Sequence, residues 1–562
     1  MRSSQVDVDG ILRALGQTKF FHTTQFILIC ASAIIASTNS FFYVFFAITP
    51  EYRCNNLTEF QLNQYNISIN EASLIYDKCS IDIIITDGGL TTENRTLDCL
   101  DGYYYTTPVE KSIVSQWDLV CNNVGLAEST QTVYTLGQVI SGLLAPCLIE
   151  KFGRKPTRVS SNILLVVLNL IAAYSPSYWL FATMRFLIGG VREVYILTSV
   201  TLICELYPKE RRIIMSCAFM FIWGIFTSSS GLIGYMLKDY SWNTLFLVNV
   251  ILSGYFLVDF FFLEESLRWL FANSKIKAAK KIIKKAAKQN KVDFNNVWSI
   301  TLKDVSNDDV NPVNETSSEC RSSESTAPID ITTAQPESEK DISMFSHLLA
   351  FFKSSYLRKV TIVLSIEMAV NVTAWNSIVQ MLEVLVGNMY LNFSLMSMFD
   401  TVSVGVYTVI AKRFGHKISL HFLKTLATVF LVSVSLLKLL AESSKATEYA
   451  ILILYTLATA QVSAASCGDL IYTSEIYPTR IRTFGSGFVT TFMRFVCMVS
   501  PFLKLLALAF PWTPGIIIGI SCILSSILVQ VFLPETGNRV LPQTIEDVNM
   551  SKQKNNRDDQ KL

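Results

Sequence analysis

The residues with the most chemical content are charges set inside long apolar stretches. Arg494 stands in Thr490-Thr491-Phe492-Met493-Arg494-Phe495, beyond Arg482, roughly 18 Å further along a helix at about 1.5 Å per residue. Asp400, Glu367, Glu383, Asp469 and the adjacent pair Arg192-Glu193 have similar surroundings. A charge at the centre of a hydrocarbon span costs about 2.5–3.5 kcal/mol even on lenient scales, so it is kept for an opposite charge, a water-filled cavity or a bound ion. The chemistry on offer is ion recognition. A guanidinium suits a carboxylate or sulfate; Asp400 could bind the cationic end of a zwitterion, accept a proton, or neutralise Arg494. Tyr43, Trp223, Trp375 and Tyr407 could add apolar contact and cation–π attraction. Arg192 and Glu193 are neighbours rather than a helix-spaced pair, so they are expected to reach different partners.

The composition says what must surround these groups. Of 562 residues, 51% are hydrophobic and 16% charged, with mean hydropathy +0.38, against about a quarter charged in soluble domains. Forty-seven bases and forty-five acids give a net charge of +2, which excludes a basic nucleic-acid binder. No G-x-x-x-x-G-K-S/T phosphate cradle, H-E-x-x-H or G-x-S-x-G occurs, and the four histidines, His22, His347, His416 and His421, are scattered. An ATP-driven pump, a membrane enzyme, a metal site and a cofactor are all disfavoured. Residues 1–20 lack a signal-peptide pattern.

Apolar stretches of membrane-span length fall at 24–48, 124–149, 158–176, 178–206, 213–237 and 242–263, then at 359–384, 390–411, 418–440, 448–474, 483–509 and 514–533. The short loops after even-numbered spans are basic: Lys151, Arg154, Lys155 and Arg158; Lys209, Arg211 and Arg212; Lys412, Arg413 and Lys417; Arg480 and Arg482. That asymmetry places both termini (1–23 and 534–562) in the cytoplasm. Loop 50–123, with eleven acids and four bases, is then outside. Its Cys54, Cys79, Cys99 and Cys121 can form disulfides in any of three pairings, and Asn56, Asn66 and Asn94 are glycosylation sequons. It could also mediate self-association. Loop 264–358 is cytoplasmic: its Lys-rich start at 273–288 suits a helix lying on an anionic leaflet or a solvated basic helix, and 303–341 reads as disordered. The Asn314 sequon there should go unused.

The two sets of six spans are related. Gly153 recurs at Gly415, Glu205-Leu206-Tyr207-Pro208 at Glu475-Ile476-Tyr477-Pro478, and Glu265 at Glu535, with offsets 415 − 153 = 262, 475 − 205 = 270 and 535 − 265 = 270. The expected fold is an all-α membrane protein of twelve transmembrane helices in two homologous six-helix halves, 24–263 and 359–533, with a substrate held near the midplane between them.

Gly153-Arg154-Lys155 resembles the loop motif of the major facilitator superfamily. Tyr52-Arg53-Cys54, Gln116-Trp117-Asp118-Leu119-Val120-Cys121, Glu265-Ser266-Leu267-Arg268-Trp269-Leu270 and Ser474-Glu475-Ile476-Tyr477-Pro478-Thr479-Arg480 make the chain resemble that superfamily's organic cation/organic anion/carnitine transporter family. The resemblance implies a polyspecific plasma-membrane carrier of small organic ions. At the position of Arg494 it implies arginine in anion and carnitine carriers and aspartate in cation carriers; Asp400 matches an acidic family position and Trp375 a family aromatic, while Asn376 departs from the aromatic pair usual there. Departures are Pro146 for glycine, Glu150 for aspartate, Ser377 for glycine, Val404 for a lysine common in anion carriers, and four loop cysteines where many relatives have six. The expected substrate residues are Arg494, Asp400, Trp375, Asn376, Trp223, Tyr43 and Tyr407. Glu150, Arg154, Glu205 and Arg212 with Glu475 and Arg482 are the expected gating residues. Organic anions or carnitine-like zwitterions are favoured, with an organic cation carrier and a non-transporting receptor on the same scaffold as alternatives.

Overall fold

The structure, a computed structural model, describes residues 7–16, 18–64, 72–87, 90–299, 355–442, 444–477 and 482–533. Segment 303–341 with Asn314, the sequon Asn66 and the tail 534–562 lie outside them.

Among the described residues twelve helical spans are long and apolar enough to cross a bilayer: Phe20–Phe46, Cys121–Phe152, Arg154–Ala173, Tyr178–Leu206, Glu210–Met236 and Asn243–Phe262, then Leu357–Val384, Met389–Phe414, His416–Leu440, Lys445–Leu470, Gly485–Ala509 and Thr513–Phe532. They are numbered one to twelve below. Runs of Leu, Ile, Val and Phe without turn residues make them helical, since hydrocarbon forces every backbone group to bond internally. Glycine separates span two from three and eight from nine: Gly153 has φ +101° and Gly415 φ +85°, a conformation open to a residue without Cβ. A Cβ on Gly153 would also stand 2.6 Å from Glu265 Oε2.

In the first half spans two and three pack on four, and three on six; in the second, nine packs on ten and twelve, and eight on ten. The halves meet along spans five and eight and along two and eleven. Gly224 and Gly231 let span five press on span eight, where a Cβ would collide with Thr401 and Ser394.

Two features go beyond or against expectation. Loop 50–123, for which no strands were expected, is a folded domain: strand β1 (Tyr52–Cys54), β2 (Ala72–Tyr76), β3 (Ser80–Asp87), β4 (Leu90–Asp98) and β5 (Tyr103–Tyr105) form sheets ordered β1-β5 and β2-β3-β4, all pairs antiparallel. Ile81 and Ile83 bury one face of β3, and the disulfides Cys54–Cys99 and Cys79–Cys121 staple it. The Lys-rich helix Ile276–Asn290 turns its apolar face to protein, not lipid. Ala279, Ile282, Ile283, Ala286 and Ala287 are buried with Ile11, Leu12 and Leu15 of the helix Val8–Leu15 and with Leu267, Trp269 and Leu270. An amphipathic face already covered this way is not free to enter a leaflet.

Candidate functional site

Arg494 lies where spans eleven, four and two converge. Its Nη2 stands 2.9 Å from Glu193 Oε1, and its Nη1 donates to Gln138 Oε1 at 2.9 Å. Glu193 is 2% exposed at its side chain and Arg494 23%, so the pair has one dry and one accessible end. Arg192 Nη1 lies 3.4 Å from Glu193 Oε2, its Nε donates to the Ala36 carbonyl at 3.3 Å, and its guanidinium lies 5.4 Å from the Trp223 ring centroid. The neighbours Arg192 and Glu193 therefore touch each other, contrary to the sequence expectation, and Glu193 reaches onward across the halves. One carboxylate between two guanidinia leaves a net positive centre, suited to an anionic group. Asp400 is elsewhere: its Oδ2 accepts from Trp375 Nε1 at 2.6 Å, while Oδ1 has no hydrogen-bond partner among the described residues. The Trp375 ring meets Phe41 of span one edge-on at 5.3 Å.

The other expected substrate residues are engaged differently. Tyr43 is buried and donates to Glu128 Oε2 at 2.7 Å. Tyr407 has zero exposure and its hydroxyl is 2.7 Å from His416 Nδ1; it packs inside the second half, near the end of span eight away from the loop domain, which removes it from the midplane. Asn376 Nδ2 donates to the carbonyl of Val372 on its own helix.

At the loop-domain face Lys504 Nζ joins Glu128 Oε1 at 3.0 Å and Glu383 Oε2 at 2.6 Å, and Glu383 Oε1 accepts from the Thr49 backbone N–H at 2.5 Å. Ser228 and Ser394 exchange hydroxyl-to-carbonyl bonds of 2.8 and 3.0 Å, and Phe45 stacks on Tyr390 at 4.9 Å. These contacts join the halves from the Arg494 level outward, so the arrangement is closed on this face. Glu128 and Lys504 were not singled out from sequence; a lone lysine inside Phe502-Leu503-Lys504-Leu505-Leu506 was the available signal.

On the opposite face Arg154 forks onto Glu205, Nε to Oε2 at 3.0 Å and Nη2 to Oε1 at 2.7 Å. Glu265 Oε1 accepts from the backbone N–H groups of Arg154 and Ser266 at 3.0 and 2.9 Å, seating a carboxylate at the start of span three, where the helix dipole favours it. Burial pushes that carboxyl above the usual range despite these bonds. Arg212 Nη2 lies 3.8 Å from Asp9 Oδ1, which also takes Arg268 at 2.5 Å. The Glu150 side chain is exposed, and its residue contributes a carbonyl, which accepts from Trp269 Nε1 at 2.7 Å. These pairs join spans of the first half to one another and to the segments flanking it, and none of them reaches the second half. The side chains of Glu475 and Arg482 lie outside the described residues. Arg158, counted above as a loop base, is instead buried in span three, bound to Asp259 at 2.9 Å.

Two six-helix halves closed over one face and meeting at charged residues between them define a membrane protein of the major facilitator fold. Residues 126–547 match the family model described as sugar (and other) transporter. The chain is 30% identical to organic anion transporter 3 of Sus scrofa over 81% of this chain and 78% of that one, and 24% identical to the organic cation transporter protein of Drosophila melanogaster over 96% and 94%. The inward-open xylose transporter XylE from E. coli superposes with a TM-score of 0.58 at 13% identity, covering 95% of this chain and 100% of that one, a likeness of fold alone. The chain belongs to the organic anion and organic cation transporter family, solute carrier family 22, and is a multi-pass membrane transporter rather than an enzyme.

Proposed function

We propose that this transporter carries organic anions or anion-bearing zwitterions across the plasma membrane by alternating access, with Arg494 as the substrate's counter-charge. The observation that supports this is the Arg494–Glu193 pair at 2.9 Å, which joins the two halves and has its open end at Arg494. A substrate carboxylate or sulfate takes Glu193's place, and exchanging one anion for another conserves charge while the halves re-pack. Trp223, 5.4 Å from the Arg192 guanidinium, supplies flat apolar surface beside this centre, and Trp375 a second aromatic ring on the Asp400 side.

In this reading the loop domain is extracellular, with glycans at Asn56, Asn66 and Asn94. The termini and loop 264–358 are cytoplasmic, and closure at Lys504 makes the state inward-facing. A second reading, an organic cation carrier, draws on Asp400: its buried carboxylate takes the indole N–H of Trp375 at 2.6 Å and keeps one oxygen without a hydrogen-bond partner among the described residues, a negative group that suits a bound cation.

Uptake of a labelled organic anion and a labelled quaternary cation by wild type and Arg494→Ala separates the two. Loss of anion uptake at intact surface expression supports the first reading; robust cation uptake that survives the substitution supports the second.

A further inference from the structure

Spans three and nine occupy equivalent places in the two halves, and each carries one buried base: Arg158 and Lys424, with 424 − 158 = 266, one helical turn beyond the offset of 262 that relates Gly153 to Gly415. Arg158 is matched one to one. Its Nε donates to Asp259 Oδ2 at 2.9 Å, both side chains have zero exposure, and the hydroxyls of Ser199 on span four and Ser32 on span one complete its shell.

In the second half the acid and hydroxyl positions are exchanged. Lys424 Nζ donates to Ser525 Oγ at 2.6 Å, on span twelve where span six carries Asp259, one helical turn before the residue that the offset of 270 assigns to Asp259. Asp469 stands in the place of Ser199 (469 − 199 = 270). Span seven adds Glu367, whose Oε1 lies 2.7 Å from Lys424 Nζ, where span one offers only a serine. Lys424 is thus ion-paired with Glu367 and has Asp469 as a second acid within electrostatic range, and all three are 0–1% exposed. Asn371 Nδ2 donates to Asp469 Oδ2 at 2.5 Å; Asp469 Oδ1 and Asn371 Oδ1 are buried without hydrogen-bond partners. Fully ionised, the cluster would hold an uncompensated negative charge in the membrane interior, which such sites avoid by neutralising one group. A proton fits where a metal cation would be repelled by the ammonium group already on Glu367.

We propose that Glu367, Asp469 and Lys424 form a proton-binding site inside the second half, whose loading is coupled to substrate transport. A proton from water adds to a carboxylate oxygen and is later returned to water; no other bond forms or breaks. The coupling has a structural route. Glu367, Asn371 and Trp375 follow one another at four-residue steps along span seven and so share one face, and Trp375 Nε1 holds Asp400 at 2.6 Å. The other titratable neighbours are His421, bonded to Ser526, Cys522, Cys467, and Tyr407 of span eight packed on Gly468. Span eleven, also packed on span seven, brings Arg494, which is engaged by Glu193 and Gln138.

The inference rests on the transport reading, and the test separates them. Wild type and Asp469→Asn are reconstituted in liposomes enclosing a pH-sensitive dye. Counterflow of a labelled organic anion at equal pH needs no gradient; accumulation under an imposed pH gradient does. Wild type is expected to show counterflow, gradient-driven accumulation and a substrate-dependent dye signal. Asp469→Asn keeps counterflow and loses the other two, as does the paired variant Glu367→Gln/Lys424→Met, which guards against misfolding of the first. Wild-type counterflow without a dye signal, or accumulation driven by a sodium gradient instead, overturns the proton site. Absence of wild-type counterflow overturns the transport reading itself.

Discussion

Glu193→Gln isolates the competition on which the proposed anion recognition depends. Arg494 and Glu193 meet at 2.9 Å, where two unit charges attract by about 5–6 kcal/mol at an effective dielectric near 20. Desolvation of a pair with one buried end cancels much of that, leaving about 1.5–3 kcal/mol, the usual worth of a hydrogen bond to a charged group. In the proposed mechanism a substrate anion displaces Glu193 and so meets that energy as a penalty. Glutamine keeps the shape and one acceptor but removes the charge, so the lower end applies: about tenfold in the anion's KM at about 1.4 kcal/mol per decade. Arg192 keeps the Ala36 carbonyl and the Trp223 ring, which preserves the local packing. Initial-rate uptake of a labelled organic anion is expected to give a KM about tenfold lower in the variant. An unchanged or higher KM, at equal surface expression, refutes displacement of Glu193 as a binding step.

Lys504→Met leaves Glu128 and Glu383 facing each other without their shared base, which destabilises closure on the loop-domain face. Thr132 stands one turn from Glu128 on span two, its hydroxyl donating to the Met498 carbonyl across the halves at 3.2 Å; a cysteine placed there should then react faster with an external impermeant thiol reagent, and an unchanged rate contradicts the lock. Arg154→Ala removes both bonds to Glu205 and should lower turnover by more than it changes KM; undiminished turnover with equal affinity contradicts a role in the transport cycle. Cys79→Ser removes one of two staples from a domain whose Cys79–Cys121 bridge spans 42 residues, and such losses commonly cost 2–5 kcal/mol. Faster proteolysis within loop 50–123 on intact cells is expected, and unchanged resistance contradicts it.

The spans, their pairing into halves and the family resemblance were legible because hydrocarbon leaves backbone few options and because the motifs recur at near-constant offsets. Arg494 was legible for the same reason, as a charge where charge is costly. Its partner was not: Glu193 is three hundred residues away in sequence, and acids in the second half, such as Asp400, looked equally able to reach it. Tyr407 shows the limit of residue type as a guide, since a tyrosine on a lining span can point into its own bundle. The strands of the loop domain were signalled by alternation in Ser80-Ile81-Asp82-Ile83 but were overlooked beside the cysteines. The helix Ile276–Asn290 carried a true amphipathic pattern, yet its pattern does not say whether lipid or protein covers the apolar face.

Reversing the charge at the midplane tests the account most directly. Uptake of a labelled organic anion and a labelled quaternary cation is measured in wild type and Arg494→Asp at matched surface expression. The account predicts that the substitution abolishes anion uptake and raises cation uptake. Anion uptake that persists in Arg494→Asp would contradict it.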